Sequence, residues 1–159
     1  MFLKFGGIEL IRLEPVTPEN WRLDLSVKED QRRFVSDRIG ILARAYAYRD
    51  CRSQAFVIYQ EDLPVGMAMY YDCPEESEYV FSQFFIDWRY QGNGFGYEAA
   101  KLVLQNMKCD GQYDKVCLCY IDGDHAARRL YERLGFHHTG EVYDGEIIME
   151  QTLRQVPAN

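Results

Sequence analysis

The chain has 159 residues, of which 47% are hydrophobic and 27% are charged, and this composition predicts one soluble globular domain spanning residues 1–159. Its net charge of −7 disfavours nucleic acid as a partner and permits attraction of a cationic small molecule. No apolar run reaches the roughly 18 residues of a membrane span, and the N-terminus "MFLKFGGIEL" does not resemble a secretory signal. We therefore expect a cytoplasmic protein that binds no membrane.

The first third of the chain predicts a strand followed by two helices. Residues 8–16, "IELIRLEPV", predict a strand with both faces partly covered. "TPENWRLDL" predicts a helix with Thr17 as its N-cap and Pro18 at the first helical position. Residues 29–48 predict a second, amphipathic helix, whose apolar positions include Phe34, Ile41, Leu42 and Ala45.

The middle of the chain predicts three antiparallel strands and then a helix. The strands cover residues 54–60, 65–72 and 79–87, and their hairpin-like spacing predicts that they are neighbours. A helix from about Gly94 to Cys109 follows, with apolar rows spaced by four residues.

The last third predicts a strand, a short helix and a hairpin. The strand covers residues 115–121, the helix begins at Asp124 as N-cap and stops at Gly135, and the hairpin turns around residues 143–145. The order of elements predicts an α+β fold with a mainly antiparallel sheet. The crossover between residues 79 and 121 makes its two flanking strands parallel.

Three glycines, Gly92, Gly94 and Gly96, lie between an aromatic strand and a helix. They do not form a P-loop, because Lys101 comes too late and no Ser or Thr follows it. Their spacing also differs from the dinucleotide fingerprint G-x-G-x-x-G. The glycines alone leave two interpretations open: a turn that binds a pyrophosphate at the helix N-terminus, or a tight turn without a ligand.

The five cysteines are Cys51, Cys73, Cys109, Cys117 and Cys119. None forms a C-x-x-C pair, and the three histidines complete no zinc-binding spacing. We expect buried free thiols and no metal site.

Two segments carry a family resemblance. "FFIDWRYQGNGFGYEAAKLVL" resembles the acetyl-CoA-binding segment of the GNAT superfamily of N-acetyltransferases, with its signature Q/R-x-x-G-x-G/A. "DHAARRLYERLGF" resembles that superfamily's second signature, N-x-x-A-x-x-L-Y-x-x-x-G-F, with Asp124 where Asn is usual. The resemblance covers roughly residues 8–153. The wording "FFID-x-x-YQGNGFG" and the closing "G-E-x-x-Y/F-x-G-E" look most like the bacterial spermine/spermidine acetyltransferase branch.

The resemblance implies a GNAT-like sheet of about seven strands flanked by about four helices, with a splayed parallel strand pair that holds CoA. It implies acetyl-CoA as co-substrate and no metal. The backbone of Phe84, Phe85 and Ile86 would pair with the pantetheine arm. The residues implied to wrap the pyrophosphate are Gln91, Gly92, Asn93, Gly94, Phe95, Gly96 and Tyr97.

The same resemblance implies that Tyr131 is the general acid that protonates the departing CoA thiolate; the alternative is an aromatic packing residue. A phenol with a pKa near 10 holds its proton at neutral pH, which suits that role. Asp124 would cap its helix or hold the amide end of the cofactor, although Asp offers no N–H donor. The base that deprotonates the amine stays unassigned, because Ser82 stands where the polyamine branch often has an acid.

The expected activity is direct transfer of an acetyl group to a primary amine in a ternary complex, with a polyamine or other small cationic amine as the leading acceptor. Amino-acid, aminoglycoside and protein N-terminal acceptors remain alternatives. So do a non-catalytic acyl-CoA-binding module and a structural domain whose glycines serve only a turn. Uncovered edge strands of such a sheet often invite a partner subunit, so a homodimer is expected.

Overall fold

The computed structural model describes residues 10–154, which form one seven-stranded sheet in the order β1-β2-β3-β4-β5-β7-β6. The strands are β1 (Ile11–Pro15), β2 (Gln54–Gln60), β3 (Leu63–Cys73), β4 (Glu78–Ile86), β5 (Lys115–Ile121), β6 (His137–Tyr143) and β7 (Glu146–Thr152). The helices are α1 (Arg38–Ala47), α2 (Phe95–Asp110) and α3 (His125–Arg133). All strand pairs are antiparallel except β4 with β5, which confirms the predicted fold class.

The helix predicted at Thr17 is wrong, and about four predicted helices become three α-helices in the described part of the chain. Residues 18–22 form only a turn, in which the Asn20 and Trp21 N–H groups both donate to the Thr17 carbonyl, at 3.3 and 3.2 Å. The side chain of Asn20 ties this turn to the preceding chain. Its amide oxygen accepts from the Thr17 N–H at 2.8 Å and its Nδ2 donates to the Pro15 carbonyl at 3.0 Å. The predicted strand before it begins later, at Ile11; residues 8 and 9 lie outside the described residues.

The second predicted helix is shorter than expected. A 3-10 helix covers Glu29–Gln31, and α1 begins only at Arg38. The Asp37 side chain caps α1 by accepting from the Gly40 N–H at 2.6 Å, which fixes the start of the helix nine residues after the start of the 3-10 helix. Residues 32–37 therefore remain outside regular structure and are free to line a site.

The sheet separates two cores. The first core lies under α2 and α3 and includes Tyr79, Phe81 and Val103. The second core lies under α1, where Ile41 packs with Val57, Met67, Met69 and Phe85. Alternation along the strands produces this separation, because successive side chains of a strand point to opposite faces.

A β-bulge in β4 interrupts that alternation. Met69 of β3 is paired with Gln83 and Tyr70 with Phe81, so Ser82 is an extra residue without a partner. As a result, Phe81 and Phe84 both pack against the first core although they are three residues apart. After the bulge, the alternation of β4 side chains between the two faces of the sheet is therefore shifted by one residue.

β4 and β5 are adjacent only at their beginnings. They pair at Tyr79–Val116 and Val80–Cys117, and no further pair joins them. β5 continues along β7 as far as the pair Ile121–Glu146, while β4 continues along β3. We call residues 78–81 the closed half of β4 and residues 82–86 its open half. The splayed strand pair predicted from the sequence is confirmed.

Ion pairs neutralise the charged groups beside the closed half. Arg52 donates from Nε to Asp72 at 2.6 Å and from both terminal nitrogens to Asp110 at 3.0 and 2.9 Å. The Tyr79 hydroxyl also donates to Asp110. Lys115 lies 3.0 Å from the buried carboxylate of Glu78. This network joins the C-terminal end of α2 to the sheet.

The five cysteines are free, as expected, but none of them is buried: Cys109 and Cys119 are exposed and the other three are half-buried. Cys117 and Cys119 lie two residues apart on β5, so their side chains point to the same face of the sheet. Among residues 10–154, no helix is long and apolar enough to cross a membrane.

Candidate active site

A cavity of about 380 Å³ fills the gap between the open half of β4 and β5. Its walls come from both faces of the sheet: Tyr131 and Ala127 of α3 on one side, and Val27, Val35 and Cys119 on the other. The volume lies within the range typical of small-molecule sites. The splay therefore opens a passage through the sheet.

Of the residues predicted to bind the cofactor or act in catalysis, those that line this cavity are Phe84, Phe85, Ile86, Gln91, Gly92, Gly94, Phe95, Gly96, Asp124 and Tyr131. Two do not. The side chain of Asn93 turns back and donates to the Tyr90 carbonyl at 3.0 Å. Tyr97 lies behind the turn on α2, so a direct contact of its side chain with a ligand in the cavity is not supported.

The ring of Tyr97 instead holds two cations beside the N-terminal turn of α2. The Arg133 guanidinium carbon lies 3.9 Å from the ring centroid, and the Lys101 ammonium lies 5.2 Å from it. These charges add to the positive end of the helix dipole. The Lys101 charge is partly neutralised, because its ammonium also lies 3.5 Å from the Glu98 carboxylate of the same turn.

The open half of β4 is held in place from two sides. Gly66 of β3 lies so close to it that an added Cβ would be 2.3 Å from the Phe85 carbonyl oxygen. On the other side, Gln91 donates from Nε2 to the Ile86 carbonyl at 2.9 Å and exchanges hydrogen bonds with Gln31 at 3.0 and 3.1 Å. The backbone of this half is thus fixed while its edge toward β5 stays without a strand partner.

Asp87 fastens the end of β4 to the chain that follows. Its fully buried carboxylate accepts from the Ser26 N–H at 2.9 Å and from Arg89 Nε at 2.8 Å. Burial alone would raise the pKa of Asp87, but the hydrogen bonds from Arg89 and Ser26 outweigh it and lower that pKa. The charged carboxylate therefore stabilises the start of the glycine turn.

The glycine turn itself presents a bare backbone to the cavity. Gly92 and Gly94 both have φ of +81°, and a Cβ added to either would meet no atom within 4 Å. The space in front of them is therefore available to a ligand. Gly94 is the N-cap of α2, whose first N–H groups have no partner within the helix.

Tyr131 lies on α3 and is buried in the first core beside Phe81 and Phe136. No hydrogen bond to its hydroxyl is present among residues 10–154. Burial, and next the charge of Asp124, raise its pKa above the ordinary value of a phenol. The side chain therefore combines an aromatic packing role with a protonated hydroxyl at the cavity wall.

Asp124 caps α3, as predicted. Its Oδ1 accepts from the Ala127 N–H at 3.1 Å while the residue also lines the cavity. One oxygen of the carboxylate thus accepts the capping hydrogen bond of the helix, so the group has fewer lone pairs to offer a ligand.

The sequence pattern did not identify several residues on the second side of the cavity. They come from the irregular chain before α1, from the bulge and from the far end of the sheet, and they include Gln31, Phe34, Ser82, Cys119 and Glu146. The acidic residues near Ser82 in sequence do not line the cavity: Glu78 belongs to the closed half, and Asp72 lies beside it on β3.

The family comparison agrees with this architecture. The model of the acetyltransferase (GNAT) family matches residues 16–136. The spermine/spermidine N(1)-acetyltransferase of Bacillus subtilis (strain 168) is 32% identical over 153 residues, covering 90% of this chain and 99% of that protein. This similarity confirms the predicted resemblance to the polyamine branch.

Solved structures show the same fold at lower identity. The aminoglycoside acetyltransferase AAC(6')-Ib, in complex with coenzyme A, has a TM-score of 0.75 at 16% identity, over 90% of this chain and 95% of that one. The spermidine N-acetyltransferase from Vibrio cholerae, in complex with CoA and spermine, has a TM-score of 0.70 at 15% identity, over 88% and 92%. The chain therefore belongs to the acetyltransferase (GNAT) family, and it is an enzyme that transfers the acetyl group of acetyl-CoA to an amine.

Proposed function

We propose that the protein acetylates a primary amine of a polyamine, such as spermidine or spermine, by direct attack in a ternary complex. The observation that carries the acceptor class is the 32% identity to a spermine/spermidine acetyltransferase across nearly the full length of both chains. The cavity supports it, because Asp124 and Glu146 line it while no Lys, Arg or His of residues 10–154 does. An acidic wall favours a cationic acceptor.

The donor side of the proposed complex uses the backbone more than side chains. The pantetheine arm pairs with the unpartnered edge of the open half of β4, and the pyrophosphate lies against the bare glycines at the N-terminus of α2. Backbone N–H groups are suited to this because they are fixed by the sheet and the turn before the ligand arrives. The cations held by Tyr97 lie beside that turn.

The chemical step balances without a covalent enzyme intermediate. The neutral amine nitrogen attacks the thioester carbonyl carbon, the C–S bond breaks, and the sulfur leaves as the CoA thiolate. Tyr131 donates its phenolic proton to that sulfur, and the acetylated nitrogen loses a proton to water or a base. Burial keeps the phenol protonated until negative charge develops on sulfur in the transition state.

The test measures release of free CoA thiol from acetyl-CoA with a panel of amines: spermidine, spermine, putrescine, an aminoglycoside, free amino acids and an N-terminal peptide. We expect kcat/KM to be highest for spermidine or spermine. Preference for an aminoglycoside, an amino acid or the peptide would overturn the acceptor class, and CoA binding without turnover on any amine would overturn the enzymatic proposal. The homodimer and the cytoplasmic location stay predictions.

A further inference from the structure

Two carboxylates line the cavity, and they differ in the hydrogen bonds that they already accept within the protein. Asp124 accepts the capping hydrogen bond of α3. Glu146 makes no side-chain hydrogen bond and no ion pair with any residue of the described range 10–154. It is half-buried at the first position of β7. Glu146 is thus a charged group in the wall of the cavity without a protein partner.

The position of Glu146 places it on the side of the cavity away from α3. It is paired with Ile121 of β5 and therefore points to the same face as Cys119, opposite to Tyr120 and the first core. The pKa of the Cys119 thiol is raised, first by partial desolvation at the cavity wall although the residue is exposed, and next by the charge of Glu146, which agrees with this proximity. Tyr131 approaches the cavity from the other face.

The charge on each nitrogen of the acceptor decides which of them can form an ion pair with Glu146. The nitrogen that attacks the thioester must be neutral, so it cannot remain in an ion pair during the reaction. A polyamine carries further nitrogens that stay protonated near pH 7, and these keep a positive charge throughout. A fixed carboxylate is best matched to one of them.

We propose that Glu146 binds a non-reacting ammonium group of the polyamine and so sets the preference for acceptors with more than one positive charge. This inference rests on the proposed function, and it identifies the side chain that recognises a second positive charge on the substrate. Ser82 lines the same cavity without a charge, and Glu146 does not take over the role of base, which stays unassigned.

The other acidic residues that sequence proximity suggested do not compete for this role. Glu78 is 3.0 Å from Lys115, and Asp72 is 2.6 Å from Arg52. Glu75 and Glu76 are exposed in the connection between β3 and β4, outside the cavity lining.

The test compares Glu146→Gln with Glu150→Gln. Glu150 lies on the same strand and the same face, but it faces His137 at 3.3 Å and does not line the cavity. We expect Glu146→Gln to raise KM for spermidine roughly 10- to 100-fold, the size of a charge-assisted hydrogen bond in binding. KM for acetyl-CoA should stay within about twofold in both variants, and Glu150→Gln should resemble the wild type.

A second comparison distinguishes ammonium recognition from a structural effect. Butylamine has a single nitrogen, so its KM should be equal in wild type and Glu146→Gln, whereas putrescine and spermidine should be weakened. Calorimetry with spermidine and CoA should show the same loss of affinity without turnover, and Glu146→Asp should restore part of it. Equal weakening of butylamine and spermidine, or no weakening of either, would overturn the inference.

The outcomes also separate this inference from the proposed function. If the wild type acetylates spermidine best and Glu146→Gln behaves like the wild type, the acceptor class stands and the role of Glu146 falls. If the wild type prefers an amine with one charge, both fall together.

Discussion

The two halves of β4 carry similar residues but perform different tasks. The closed half pairs with strands on both sides, and the charged groups beside it are neutralised by Lys115 and Arg52. The open half pairs with β3 alone and faces a cavity in which Glu146 has no partner in the described part of the chain. Paired charges beside the closed half stabilise the fold, whereas an unpaired charge in the cavity wall remains available for a ligand.

The open half is held in place by contacts of its own. A strand edge can stay without a partner only if its position is held by other contacts. Here the close approach of Gly66 and the hydrogen bonds of Gln91 provide those contacts. Substitutions beside the open half should therefore change ligand affinity or turnover. Substitutions beside the closed half should change the free energy of unfolding.

The largest effect is expected for Gly94→Val, because the added side chain would fill the space in front of the glycine turn, next to the open half. The side chain would project from a backbone with φ of +81° into the part of the cavity that the glycine turn leaves empty. We expect affinity for CoA to fall at least about 100-fold. Isothermal titration calorimetry measures it directly.

Gly111→Val is the matched control for strain. Gly111 has φ of +70° at the opposite end of α2 and does not line the cavity. Both variants should lose stability through an unfavourable backbone conformation, by about 1–2 kcal/mol. Only Gly94→Val should lose CoA affinity; similar losses in both would mean that backbone strain, not occupied space, is responsible.

The next largest effect is expected for Tyr131→Phe. Loss of the phenolic proton should lower kcat roughly 100-fold or more, the range typical of a general acid. Affinity for acetyl-CoA should change by less than about twofold, because the ring still packs against Phe81 and Phe136. Steady-state kinetics with spermidine, together with calorimetry, separate the two.

Tyr120→Phe is the control, since Tyr120 also lines the cavity but its hydroxyl is within 2.7 Å of His138 Nε2. It should lose a hydrogen bond and keep most of kcat. Unchanged kcat in Tyr131→Phe would remove the proposed acid and leave that side chain with a packing role alone.

Arg52→Met should affect stability and not the reaction. It leaves the buried Asp72 without its cation, and we expect a loss of about 2 kcal/mol in the free energy of unfolding, less than for a fully buried pair because Arg52 is half exposed. CoA affinity should remain that of the wild type. Urea titration checks the first statement, with Arg128→Met at an exposed ion pair as the control that should change little.

The pH dependence of that loss has a definite sign. Arg52, followed by Tyr79, holds the pKa of Asp110 below its ordinary value of 3.8. A carboxylate with a lowered pKa in the folded state contributes stability above its unfolded pKa and loses it as the pH falls. The difference between wild type and Arg52→Met should therefore shrink below about pH 4; a difference that grew in acid would contradict the ion-pair account.

The smallest effect is expected at Cys119, as a probe of the charge beside the open half. Burial first, then Glu146 and Glu78, raise the pKa of this thiol. Glu146→Gln should lower that pKa and increase its alkylation by iodoacetamide roughly two- to fivefold at neutral pH. Peptide mass spectrometry measures the alkylation rate of Cys119 relative to that of the exposed Cys109 in the same chain. The rate for Cys109 should not change.

Much of the fold followed from the sequence because its signals were local. Alternating apolar residues located β2 to β5, and Asp144-Gly145, with φ of 50° and 78°, closed the last hairpin as expected. Asp124 and Gly135 limited α3 as predicted. In each case the residues that determine the structure are within a few positions of it.

The errors arose where distant contacts decide. The turn at Thr17 is a local exception, but the bulge at Ser82 exists only in relation to its partner strand β3. Glu146 is 60 positions from Ile86, the end of the open half of β4, and the antiparallel pairing of β5 with β7 brings it into the cavity. The segment before α1, predicted as helix, supplies part of the cavity wall.

The open half of β4 is also an interior sheet edge. Unpaired strand edges normally lie at the periphery of a sheet, where they can recruit strands from other molecules and start aggregation. In this protein the edge faces a gap that β5, α3 and the segment before α1 enclose. A slender extended molecule can enter that gap, but a second folded chain cannot. The splay thus leaves an unpaired strand edge that faces an enclosed cavity and not the periphery of the sheet.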